Sequence, residues 1–269
     1  MNRESPLRAI LAVLLTALVC SSLVSAAVVI LRPIQLDNQM LERSRNIMQL
    51  TGLLPTERIA DDDEILDLYK RLDLRIVNID RAGYESEIDP FTFDGRRARD
   101  DSELSVTIPA HQDQAGLGRR SRFEPVYLVW KEDRLDRLIL PVHGNGMWSM
   151  IYGYIALEPD LNTISGMTFY EQNETPGLGD QITHVHWLEQ WKGRRVYDHQ
   201  GNPRFRISDG VVEPGSATAD YEVDALTGAT VTANAVNDLM QYWFGPHGYQ
   251  PFLLAMREHP PEKPVGPIK

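Results

Sequence analysis

Asp224, Thr227, Gly228, Ala229 and Thr230 stand in one run, Asp224-Ala225-Leu226-Thr227-Gly228-Ala229-Thr230, directly before a segment with strong helical patterning. Over Val231–Phe244 the apolar residues Val236, Leu239, Met240, Trp243 and Phe244 recur at helical spacing and predict one buried face. Gly228 and Ala229 leave almost no side chain where that helix begins, and Thr227 and Thr230 bring hydroxyls beside its unpaired N–H groups. A helix N-terminus carries partial positive charge and free donors, which suits a phosphate. The threonines therefore have two readings. One is a turn with a threonine N-cap. The other makes a threonine hydroxyl the carrier of a phosphate group.

A second stretch, Glu174-Thr175-Pro176-Gly177-Leu178-Gly179, leaves a predicted strand at Thr163–Tyr170. Its proline and glycines set a sharp turn. Glycines let backbone approach a flat ligand, and Leu178 offers an apolar surface to a ring. Pro-Gly turns are common, so the stretch gains meaning only beside the threonine run. Other chemistries find less support. His184 and His186 diverge if helical, against a shared metal. The acidic run Asp61–Glu64 suits a solvated first helical turn. There is no hydrolytic triad and no Gly-x-Gly-x-x-Gly dinucleotide fingerprint. Cys20 is the one cysteine, which excludes an internal disulfide framework and a cysteine-rich cluster held by this chain alone.

These residues need elements to position them. The chain has 269 residues, 42% of them hydrophobic and 24% charged, as in a globular protein with room for a sizeable core. A net charge of -11 excludes the basic excess that nucleic-acid binding requires. Residues 9–31 carry no charge and are long enough to span a bilayer. Arg3 and Arg8, against Glu4, put residues 1–8 in the cytoplasm and the remainder outside it. The apolar run continues past the candidate cleavage site Val24-Ser25-Ala26, which favours an uncleaved anchor over a signal peptide. Residues 32–82 read as a helical segment and a first strand: a helix at Asp37–Leu50 after Pro33, ended by Gly52 and Pro55, a helix at Asp62–Leu72, and a strand at Leu74–Ile79. Residues 83–125 read as an irregular insert whose arginines are balanced by Asp94, Asp100 and Asp101. Residues 126–246 form the core. Strands are expected at Val126–Trp130, Leu138–Val142 and Trp148–Leu157, with His143–Gly146 as a turn and a helix over Ile182–Trp191. Residues 247–269 read as a proline-rich tail on the surface. Consecutive strands joined by short turns predict an α+β class: one membrane helix, then an antiparallel sheet packed by helices.

The run Asp-x-x-Thr-Gly-Ala-Thr at Asp224–Thr230 is similar to the flavinylation motif of proteins that hold FMN through a threonine phosphoester. Glu-Thr-Pro-Gly-Leu-Gly at Glu174–Gly179 resembles the second signature of the same flavoproteins, although Gln172-Asn173 stands where some members carry a histidine. With the N-terminal span and the Trp148–Gly153 strand, the chain resembles, over nearly its whole length, the C-subunit family of the sodium-translocating NADH:quinone reductase. The related G-subunit family of the ferredoxin:NAD oxidoreductase complex shares both motifs. A structural subunit without cofactor and a free-standing periplasmic flavin module are the alternatives from other classes.

The resemblance implies an FMN-binding core at 126–246, on the periplasmic face of a bacterial inner membrane, with FMN linked covalently to Thr230. It implies FMN contacts from Asp224, Thr227, Gly228 and Ala229, from Glu174, Thr175, Pro176, Gly177, Leu178 and Gly179, and from Trp148. Asp224 is expected to help bind the modifying enzyme or its metal, or else to form an Asx-type turn. A flavin transferase is implied for maturation, and other subunits of the complex are implied to bind NADH and quinone. The uncharged span argues that this chain does not itself carry the ion.

Overall fold

The computed structural model describes residues 6–54 and 60–264. The chain divides into two compact units, Met1–Arg45 and Asn46–Lys269. One helix, α1 (Pro6–Thr51), runs through the first and contributes its last turns to the second. Within it, Ala9–Arg32 has a mean hydropathy of 2.5 and no buried residue. Cys20 is exposed on it. The separate helix expected from Asp37 is thus a continuation of α1 across position 33. A proline removes one intrahelical bond, yet the helix continues through this position. The helix stops where Gly52 takes a φ of 68°. Of the residues expected to flank it, Pro55 lies outside the described residues, as do Arg3 and Glu4.

In the second unit the acidic run does what a first helical turn asks. Asp61 caps α2 (Asp62–Lys70) by accepting from Glu64 N at 2.8 Å. The main sheet has six strands: β1 (Asp73–Asn78), β2 (Gly83–Glu85), β5 (Phe123–Lys131), β6 (Arg134–Asn145), β7 (Met150–Leu157) and β8 (Ile164–Glu171). Their order is β2-β1-β5-β6-β7-β8, and every pairing is antiparallel, giving the expected α+β fold. The β5–β6 hairpin turns on Glu132 and Asp133, both with positive φ, as a type I′ turn requires.

Both faces of the sheet are covered, so its strands read as apolar runs. On one face Leu140 and Val142 join Val236, Leu239, Met240 and Trp243 of α5 (Thr230–Trp243), with Phe252, Leu253 and Met256 of α6 (Gln250–Glu258). On the other, the Tyr127 ring lies 6.0 Å from Tyr69 of α2, and Leu50 of α1 packs on Gly166. Full burial of each such aliphatic or aromatic side chain contributes about 1.5–3 kcal/mol.

Three expectations change. Residues 83–125 are ordered rather than irregular. They hold β2, α3 (Gly95–Asp100) and a hairpin of β3 (Ser105–Thr107) with β4 (Arg119–Ser121), and β5 begins before residue 126. Arg120 there is buried, bonded to Asp80 at 2.7 Å and to the Tyr242 hydroxyl at 3.1 Å. His143, Gly144 and Asn145 belong to β6, not to a turn. Gly144 is there for packing, since a Cβ would sit 3.0 Å from Leu239 Cβ. The segment expected as a surface tail, residues 247–269, is no tail up to Glu258, because α6 seals the core.

Candidate functional site

The Asp224–Thr230 run is pinned at two points and released between them. Leu226 and Ala229 are buried, whereas Thr227, Gly228 and Thr230 are exposed. Gly228 makes the turn with a φ of 75°, a conformation that a side chain disfavours. Ala229 occupies the N-cap position of α5, and no side chain caps the helix. Neither threonine therefore acts as the N-cap. Thr230 is the first helical residue, with its hydroxyl at the surface beside N–H groups that no side chain satisfies.

The Glu174–Gly179 loop lies against this helix end. Leu178 N donates to Thr175 O at 3.1 Å, with Pro176 and Gly177 (φ 76°) between them, the residues and dihedral of a type II turn. That turn carries Leu178 over the motif, where its Cδ2 would lie 3.0 Å from a Cβ on Gly228. The Trp148 indole N–H donates to Thr175 Oγ at 3.1 Å and so leans the ring along the loop. Trp148 is 66% exposed and Leu178 42%, so both present apolar surface beside the motif. The start of the loop is fixed at the end of β8 by Arg96, which pairs with Glu171 at 2.5 Å and stacks 3.9 Å over the Tyr152 ring. Burial works against the charge on Arg96, but its bond to Glu171 and the favourable electrostatics of Tyr152, Tyr170 and Glu171 together outweigh it and raise the guanidinium pKa.

Three residues expected at the flavin, Glu174, Gly179 and Asp224, have close neighbours within the protein. Glu174 is buried at 3% exposure and accepts from Met147 N at 2.9 Å, Trp148 N at 3.4 Å and Thr232 Oγ at 2.5 Å. Gly179 is open not to a flat ligand but to these groups: a Cβ there would lie 2.6 Å from Thr232 Oγ. Asp224 forms no Asx turn. Its Oδ1 accepts from Val212 N at 2.7 Å and its Oδ2 from Gln190 Nε2 at 3.1 Å, while Gln190 Oε1 accepts from Asp224 N at 2.9 Å. The Trp187 indole donates to Asp224 O at 2.9 Å. Asp224 thus holds the base of the motif to a short helical segment, where the single helix expected at Ile182–Trp191 is split into a 3-10 turn (Gly179–Thr183) and α4 (Val185–Glu189). His184 and His186 are exposed there, beside an open depression of about 530 Å³ that Gln190 and Trp187 also line. Among the described residues no cluster of three or more ligating side chains could hold a metal ion.

Sequence reasoning missed Thr232, Gly146 and Met147. Their parts appear only when Glu174 arrives from another element, because the Glu174–Thr232 bond joins residues 58 positions apart. It also missed His143, whose ring is enclosed by Tyr152 and Trp243 at 5.5 and 4.8 Å although the residue keeps some surface. Burial lowers its pKa to about 3, with Arg99 and Arg96 adding to the shift.

The residues present suit a flavin phosphate held by an ester. An exposed hydroxyl stands at an uncapped helix N-terminus, and exposed Trp148 and Leu178 flank the same loop. Segments 145–150, 172–179 and 224–237 contain no lysine or arginine to grip a free phosphate dianion.

The chain is similar to known proteins in sequence and fold. The FMN-binding domain family matches residues 146–245, which includes both loops and α5. The C subunit of the Na(+)-translocating NADH-quinone reductase of Pseudomonas aeruginosa is 39% identical over 258 residues, covering 96% of this chain and 98% of the relative. The protein of the same name from Vibrio anguillarum is 36% identical over 96% of this chain and 97% of its own. The crystal structure of Shewanella oneidensis NqrC is similar with a TM-score of 0.73 and 34% identity, covering 81% of this chain and 97% of that one.

Proposed function

This chain belongs to the C-subunit family of the Na(+)-translocating NADH-quinone reductase, oxidoreductase subunits that carry FMN, and from that premise we propose that its FMN is linked covalently to Thr230. The observation that carries the proposal is the position of Thr230: an exposed hydroxyl on the first residue of an uncapped helix. Thr227, Gly228 and Ala229 shape the approach to it. Leu178 and the Trp148 indole offer apolar surface to the flavin ring, and Thr175, Pro176 and Gly177 hold them there. The bound FMN supplies one- and two-electron transfer, while the protein sets its surroundings.

A lone threonine is a weak nucleophile, so attachment is assigned to a flavin transferase acting on FAD. In that step Thr230 Oγ forms a bond to the FMN phosphorus, the pyrophosphate P–O bond breaks, AMP leaves and the hydroxyl proton is lost. The missing dinucleotide fingerprint supports an NADH site on another subunit of the complex, and resemblance to the family assigns quinone to another subunit as well. The apolar helical span Ala9–Arg32, without a charge from residue 9 to residue 31, supports a single-pass anchor in the inner membrane, with the N-terminus cytoplasmic and the 126–246 flavin core periplasmic. Near-full-length similarity to the NADH-quinone reductase relatives supports that assignment over the G subunit of the ferredoxin:NAD complex. The cofactor-free structural reading needs Thr230 as a helix cap, a position that Ala229 fills.

The test is co-production of the full chain with a flavin transferase, followed by denaturing gel fluorescence of wild type, Thr230→Ala and Thr227→Ala. Fluorescence that survives denaturation in wild type and Thr227→Ala, and disappears in Thr230→Ala, is expected. A dark wild-type band overturns the covalent link.

A further inference from the structure

Glu174 differs from two of the three other buried carboxylates among the described residues. Asp73 and Glu222 each face an arginine, Arg75 at 2.7 Å and Arg206 at 2.8 Å. Glu174 pairs with no cation among the described residues. Its side-chain neighbours are two backbone N–H groups of the turn that carries Trp148 and one hydroxyl, that of Thr232 in the first turn of α5. A buried carboxylate without a counter-ion costs several kcal/mol unless donors replace its water. Here those donors come from two different elements, and both border the candidate flavin site.

The surroundings are shaped for this one carboxylate. A Cβ on Gly146 would sit 2.5 Å from Glu174 Oε1, and one on Gly179 would sit 2.8 Å from Glu174 Cβ. Oε1 takes the Trp148 turn and Oε2 takes the α5 end, so a single side chain fixes their relative position. The partial positive charge of the α5 N-terminus adds to the compensation. Thr230 lies two residues ahead of Thr232 on the same first turn, within roughly 3 Å along the helix axis.

We propose that Glu174 is the positioning residue of the flavin site: its carboxylate locks the Trp148 turn onto the first turn of α5, so that the indole and the Thr230 hydroxyl serve the same FMN. The proposal rests on Thr230 as the attachment point. It assigns Glu174 no contact with the flavin and no proton transfer. It also explains Gly179 as room for the carboxylate rather than for a ligand.

The experiment uses the full chain in detergent micelles, first without flavin. Hydrogen exchange at the Met147 and Trp148 amides is compared in wild type, Glu174→Ala, Glu174→Gln and Thr232→Val. Loss of the buried acceptor is expected to speed exchange at both amides by about tenfold or more in Glu174→Ala, with the β7 amides unchanged. Glu174→Gln keeps an oxygen for the two N–H groups and restores protection. The same proteins are then given FAD and a flavin transferase. Attachment is expected to slow by about tenfold in Glu174→Ala and to recover in Glu174→Gln, and the Glu174→Ala and Thr232→Val effects are expected to be non-additive. Wild-type exchange at Met147 and Trp148 in Glu174→Ala, or unchanged attachment in that variant, overturns the lock. A wild-type chain that takes no FMN overturns instead the reading it rests on, and the exchange data still decide whether the lock exists.

Discussion

Asp224 is the motif residue whose role the structure changes most, and replacing it with asparagine separates a structural role from a chemical one. Oδ1 of Asp224 accepts from Val212 N and Oδ2 from Gln190 Nε2. An asparagine has one oxygen and one donor group, so one of those two bonds becomes donor against donor. Gln190 cannot relieve the clash by turning its amide over, because its oxygen already accepts from Asp224 N at 2.9 Å. A charge-assisted bond is worth about 1.5–3 kcal/mol when buried, and the half-buried position reduces this to about 1–2 kcal/mol. For a domain of this size each kcal/mol lowers Tm by about 2–4 °C, so Asp224→Asn should melt roughly 2–8 °C below wild type. Near-ultraviolet circular dichroism of the full chain in detergent reads this directly. Flavin attachment, followed well below both melting temperatures, should stay within about threefold of wild type, less than about 1 kcal/mol of barrier. A variant of wild-type stability that has lost attachment would refute the reasoning, because Asp224 would then serve the transferase or the flavin directly.

Three further outcomes are expected. The folded His143 binds its proton only near pH 3, below the ordinary 6.5. Between those values the unfolded chain binds more protons, so His143 costs up to about 1.4 kcal/mol of stability per pH unit as pH falls below 6.5 and nothing above it; urea midpoints from pH 7 to 5 should fall less steeply in His143→Gln, and equal slopes would contradict the burial. Gly144→Ala puts a methyl 3.0 Å from Leu239 Cβ and 3.4 Å from Ala115 O, and should destabilise by about 1–3 kcal/mol through overpacking, read as a lower urea midpoint at unchanged slope. Trp148→Phe removes one exposed hydrogen bond and should shift stability by less than about 0.5 kcal/mol while altering the spectrum of the attached flavin; a large loss of stability would make Trp148 structural instead.

The parts legible in the sequence are those whose signal is local. The α5 face from Val236 to Phe244 announces itself by spacing, and all five expected residues are buried. The motif is a contiguous run, so its residues can be read without their partners. Other features depend on contacts between distant segments. Gly144 looks like a turn glycine until Leu239 packs on it. Glu174 looks like a loop acid until Thr232 and the Trp148 turn close around it. Pro251 suggests a tail, yet proline is well tolerated in a first helical turn, where it stands in α6. The arginines of 83–125 look solvated until Arg120 is buried against Asp80 and the Tyr242 hydroxyl. The sharp turn at Gly177 is readable from Pro-Gly, whereas Leu178 lying over Gly228 is not.

The central claim, FMN on Thr230, is tested most directly by tandem mass spectrometry of the peptide spanning Asp224–Thr230, taken from the protein purified out of its own membrane. An added mass equal to FMN less water is predicted, with the fragment series placing it on Thr230. The same mass on Thr227, or an unmodified peptide from an active complex, would contradict it.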